Sequence, residues 1–156
     1  MSNHWATILQ SYARKSNPAS LPSSVLLSHT TKSLTIFDCY PKSIFHFLVL
    51  PRITPELTAF DLASLRTLLK ADKAKAKEVL TGLHEDAQIV KGMIQDEMMK
   101  RYGFKWGVWM GFHAVPSMEL VTLCFVVGPI ISPQMLGPFT GTSTFTSFRP
   151  TSARLR

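Results

Sequence analysis

The run Ile-Phe-His-Phe-Leu-Val-Leu at 44–50, closed by Pro51, constrains the fold more than any other stretch. It is β-branched and aromatic, which reads as a buried strand ended by a residue that cannot donate to a ladder. Leu120–Val127, LVTLCFVV, reads as a second buried strand. Ser24–Ser28 and Leu34–Asp38 read as two more, joined by HTTKS. Phe104–Phe112 adds another, with Gly107 and Gly111 marking a bulge or a close ligand approach.

Helical spacing fills the rest. Residues 2–15 predict a short amphipathic helix, capped by Ser2 or Asn3, with Trp5, Ile8, Leu9 and Tyr12 on one face. Arg14 and Lys15 near its end suit the helix dipole. Residues 16–24 read as loop. A second helical region runs from Thr54 to Leu69, with Asp61 as a local start signal. A third runs from Ala71 to Arg101, its apolar stripe formed by Val79, Leu83, Val90, Met93, Ile94 and Met98. Lys70, Lys73, Lys75 and Lys77 read most simply as a solvated face, with contact to phosphate as the alternative, and Tyr102-Gly103 reads as the stop.

The chain has 156 residues, enough for one domain with a real core. Residues 1–127 are expected to form it, and the Ser/Thr/Arg-rich 128–156 to be an irregular, disordered tail. The net charge is +7, and no acidic residue precedes Asp38. That balance fits a polyanionic partner and equally fits simple solubility. Cys39 and Cys124 lack metal-ligand spacing, and two cysteines make no disulfide framework, so a reducing compartment is expected. No secretory leader is visible, although the acid-free N-terminus has the composition of a mitochondrial transit segment. Gly128, Pro129, Pro133 and Gly137 interrupt the apolar 120–139, so no membrane span is expected.

A site is expected at Gly111–Cys124, GFHAVPSMELVTLC, where His113, Pro116 and Ser117 precede an apolar run. Together with FDCYPKSIFHFLVLPR at 37–52, this HAVPSM stretch resembles the histidine-triad family and, within it, the aprataxin branch. The resemblance covers roughly Asn3 to Met118 and implies an α+β fold, an antiparallel sheet of about five strands with flanking helices. It also implies hydrolysis of nucleotidyl–phosphate bonds, specifically removal of AMP from DNA 5′ ends left by abortive ligation. By that resemblance Asp38 would hold the ribose hydroxyls, His46 would buttress the site from the neighbouring strand, and Lys42 and Ser117 would meet phosphate. His113 would act beside the leaving DNA phosphate. Trp5, Arg14 and Lys15 would face DNA. The implied partners are nicked or adenylated DNA and AMP, with no membrane, and nothing in the sequence sets an oligomeric state. A nuclear location follows, with the mitochondrion as the alternative.

One departure is decisive. The family continues HAVPSM, after one residue, with three alternating histidines, the middle one its nucleophile. Here Leu120, Thr122 and Cys124 stand in those places. Leucine has no reactive group, threonine without a base is inert, and a thiol inside an apolar run is poorly reactive. The branch's zinc finger also has no ligands in this chain, so no cofactor is expected. The chain as written is therefore expected to be inactive. A non-catalytic nucleotide- or DNA-binding module and a general nucleotide phosphoramidase are the alternatives.

The tail offers an explanation. Read one base earlier, Thr142–Ser152 permits His-Leu-His-Val-His-Val-Ile-Ser-Thr-Asp-Phe, with Thr142, Thr144 and Thr146 each supplying a CAC codon. Residues from about Leu120 to Gly141 would then translate a retained intron, ahead of the true triad exon in the wrong frame.

Overall fold

A computed structural model of the chain describes residues 7–41, 43–113 and 119–127, together with the strand 145–148. The elements are α1 (Ile8–Ala13), a 3-10 turn (Pro18–Ser20), β1 (Leu26–His29), β2 (Ser33–Phe37) and β3 (Phe45–Pro51). Then follow α2 (Leu65–Lys70), α3 (Lys73–Tyr102), β4 (Val108–His113), β5 (Leu123–Val127) and β6 (Phe145–Phe148). The strands form one sheet in the order β1-β2-β3-β5-β4-β6, with every neighbouring pair antiparallel. The expected α+β architecture is borne out: the five anticipated strands are present, and the helices flank them. The sixth strand lies within the stretch expected to be irregular and pairs with β4.

The run that led the argument is β3. All seven of its residues are buried, because both of its edges are paired and both of its faces are covered. β5 fills the place between β3 and β4, and Phe125 at its centre is fully buried. The third helical region is α3. Asp72 caps its start by accepting from the Ala74 N–H at 2.8 Å, and Gly103 ends it in the left-handed region at φ 75°. Its inner face is Ala76, Gly82, Leu83, Ala87, Val90, Ile94 and Met98. Met93, expected on that stripe, is instead 43% exposed, since small Ala and Gly residues let the helix lie close to the sheet along a slightly rotated line. Asp86 ties α3 to the β1–β2 turn, accepting from the hydroxyls of Ser33 (2.6 Å) and Thr30 (2.9 Å). Arg101 lies 6.0 Å from the centroid of the Phe45 ring, joining the helix's far end to β3.

Three boundaries differ from expectation. Asp61 does not start a helix; it closes a turn with Thr58, accepting from that residue's N–H and hydroxyl. The helix begins only after Ser64, whose hydroxyl accepts from the Thr67 N–H at 3.1 Å. Thr54 and Leu57 form an isolated bridge, and Phe60 is 78% exposed rather than on a buried stripe. The expected strand from Phe104 starts at Val108, because Tyr102, Phe104 and Trp106 pack on one another beyond the end of α3. In the first helix only Ile8–Ala13 is helical among the described residues.

Candidate functional site

Directly paired residues of an antiparallel sheet share a face. His46 pairs with Val126, and Cys124 pairs with both Leu48 and Gly111. The His113 N–H donates to the Thr122 carbonyl at 3.4 Å, extending the β4–β5 ladder by one residue. His46, Thr122, Cys124 and His113 therefore occupy one face across three strands. β3 is far in sequence from β4 and β5, and the order β3-β5-β4 brings the three together.

Asp38 follows β2 and is fixed three ways. Its N–H donates to the His46 carbonyl at 3.2 Å, its Oδ1 accepts from the Tyr40 N–H at 2.8 Å, and its Oδ2 lies 3.3 Å from His46 Nε2. The carboxylate keeps 20% exposure while the imidazole keeps 4%, so the acid faces outward and the histidine supports it from within. Such an acid, already aligned, can accept from a pair of ligand hydroxyls.

Cys124 Sγ lies 2.9 Å from the same His46 Nε2. A bare Nε2 would set two acceptors, nitrogen and carboxylate, against each other, so the arrangement that suits both contacts has Nε2–H shared between carboxylate and sulfur. The thiol donates instead to the Phe125 carbonyl, at 3.9 Å. Thr122 is buried, and its hydroxyl donates to the Leu120 carbonyl at 3.0 Å. Leu120 is fully buried. Of the three triad positions, Leu120 carries no polar side-chain atom, and Thr122 and Cys124 are both buried.

The approach to β5 is held from two sides. Gln10 of α1 donates to the Glu119 carbonyl at 2.6 Å, and the Val121 N–H donates to the Leu62 carbonyl at 2.7 Å. Arg14 and Lys15 are exposed at the end of α1, as a basic contact surface requires. The structure brings Asp38, His46, His113 and the three triad positions together; Trp5, Lys42, Pro116 and Ser117 lie outside the described residues. The His46–Cys124 contact spans 78 positions and was not read from the sequence, although Cys124 sits at the third triad position. Among the described residues no group of three His, Cys, Asp or Glu side chains could hold a metal ion. No described helix is long and apolar enough to cross a membrane.

No family model matches the chain. A HIT domain-containing protein of Dictyostelium discoideum is 29% identical over 103 residues, covering 64% of this chain and 23% of that protein. The chain thus spans less than a quarter of the length of the curated relative it matches. A structure of Hnt3 in complex with DNA and guanosine matches with a TM-score of 0.63 and 22% identity, over 92% of this chain and 73% of that one. The crystal structure of the aprataxin ortholog Hnt3 from Schizosaccharomyces pombe matches with a TM-score of 0.54 and 23% identity, over 81% and 60%. The resemblance read from the sequence is matched by this similarity to a HIT domain-containing protein and, in fold, by the similarity to the aprataxin ortholog.

Proposed function

We propose that this chain is an aprataxin-like, DNA-binding histidine-triad module of the lineage that hydrolyses DNA 5′-adenylates, and that it is catalytically silent as written. One observation carries the reading. Asp38 and His46 are locked together beside β5, with His113 opposite Thr122, while the groups that should do the chemistry are absent from β5. A bound adenylate would place its ribose hydroxyls on Asp38 and its phosphate toward His113. The Thr122 hydroxyl is engaged with the Leu120 carbonyl and the Cys124 thiol is buried against His46, so neither offers the accessible histidine nucleophile that a covalent nucleotidyl intermediate of this lineage requires. The exposed Arg14 and Lys15 supply part of a salt-sensitive contact with the DNA backbone. The place of action is the nucleus, where ligation intermediates arise, or the mitochondrion.

The test uses the full chain and a nicked duplex carrying a 5′-adenylate. The expected result is salt-sensitive binding, weakened by Asp38→Ala, with no release of AMP. Release of AMP at rates typical of an efficient hydrolase overturns the catalytic half of the proposal. Absence of binding to both AMP and the adenylated duplex overturns the binding half.

A further inference from the structure

At the opposite end of β3 a second concavity opens, of about 210 Å³. It lies between the β1–β2 turn, the Thr54–Leu57 bridge and the first half of α3, and Lys32, Arg52, Lys75, Glu56 and Glu78 line it. Six residues of extended chain separate Arg52 from His46, roughly 20 Å, so this is not the candidate site described above.

Three observations point to a ligand. Among the described residues, none of these five charged side chains makes an ion pair. Lys75 Nζ donates to the Glu56 backbone carbonyl at 3.3 Å, yet no cation of the groove meets one of its carboxylates. Second, Arg52 Nη2 donates to the Lys15 carbonyl at 2.6 Å, while its Nε is buried and has no acceptor. That Nε is a shielded donor left unmet within a residue that lines the groove, so a small side-chain shift would let the guanidinium meet an acceptor there. Third, the Lys32 stem is laid against α3 at a glycine: a Cβ on Gly82 would come within 3.3 Å of Lys32 Cδ. The helix accepts a glycine there and in return carries a cation over the groove.

We propose that this groove is an anion site for a single phosphate group, taken by Lys32, Arg52 and Lys75. Three cations against two carboxylates leave one net positive charge, which suits one phosphate and disfavours a polyphosphate. Arg52 offers the planar donor edge, and the two ammonium groups close on the remaining oxygens. The phosphate belongs either to a nucleic-acid backbone or to a small phosphomonoester, and both present the same oxygens.

The experiment titrates the full chain with inorganic phosphate by calorimetry. It also titrates, by anisotropy at several salt concentrations, a nicked duplex without a terminal phosphate. The variants are Lys32→Gln with Lys75→Gln, both exposed and remote from Asp38, and Arg52→Lys, which keeps the charge but removes Nε. The expected result is phosphate affinity lowered about tenfold or more in the double variant, with a native circular dichroism spectrum. Arg52→Lys should lower it too. If the salt slope for the duplex also falls, by about two, the groove reads a nucleic-acid backbone. If the slope is unchanged while phosphate affinity falls, the ligand is a small phosphomonoester. No saturable phosphate binding by the unmodified chain, or equal affinity in all variants, overturns the proposal. Neither arm depends on Asp38 or on adenylate, so its failure is separable from failure of the proposed function.

Discussion

Phe125→Ala tests whether β5 is the centre of this sheet. Phe125 is fully buried and pairs with Phe47 of β3 and Met110 of β4. Both neighbouring strands pin its backbone, so the surroundings cannot collapse into the space that truncation leaves. A cost of about 3–5 kcal/mol follows, from lost transfer free energy and the residual cavity. Domains of this size are stable by about 5–15 kcal/mol, so the variant should be close to partial unfolding. Urea denaturation followed by circular dichroism measures it. With a slope of about 2 kcal/mol per molar urea, the midpoint should fall by roughly 2 M. Phe60→Ala is the control: at 78% exposure it should move stability by no more than about 0.5 kcal/mol. A loss below about 1 kcal/mol for Phe125→Ala, at unchanged slope, would mean that residues 123–127 do not close the sheet. The placement of Cys124 against His46 would then fall with it.

Three further outcomes are expected. Asp72→Ala removes the cap of the longest helix and should cost about 1 kcal/mol in the same denaturation series, whereas Asp72→Asn should cost much less. Asp61 is held below its ordinary pKa of 3.8 by the hydroxyl and then the N–H of Thr58. A depressed carboxylate stabilises the fold above its unfolded value, so Asp61→Asn should lower the melting temperature at pH 6. The gap should close as the pH drops below 3.8; a gap independent of pH would show that the ion contributes nothing. Sequencing transcripts across the codons for Met118–Arg156 should reveal CAC in the earlier frame at Thr142, Thr144 and Thr146; any other codon there refutes the intron reading.

The strand core and the far end of α3 were legible because each rests on local chemistry. IFHFLVLP could be little else than a buried strand, and Tyr-Gly stops the long helix, whereas its cap at Asp72 was not read. Asp38 and His46 were legible as members of one site through family resemblance; their direct contact, across one turn of sequence, was not read. What could not be read depends on neighbours. Asp61 and Ser64 are both competent caps, and the choice between them was settled by how Thr58 and Thr67 pair. Met93 has a sound helical period, yet Ala76 and Ala87 set the contact line, because closeness of approach outweighs side-chain size. The groove around Arg52 draws on a turn, a strand end and a helix whose juxtaposition no local pattern encodes.

The sheet order β1-β2-β3-β5-β4-β6 also sets a schedule for folding. β3 acquires one neighbour, β2, almost at once, but its other neighbour, β5, lies 78 positions later if measured from His46 to Cys124. At ribosomal speeds of about 5–20 residues per second, that interval is roughly 4–16 s. Throughout it the edge formed by Phe-His-Phe-Leu-Val-Leu stays open while α3 and β4 are being made. An apolar edge left unpaired is a template for joining another copy of itself. The nascent chain should therefore depend on chaperone cover during this window, and slowed translation between Tyr102 and Cys124 should lower the soluble yield more than the same delay placed before Phe45.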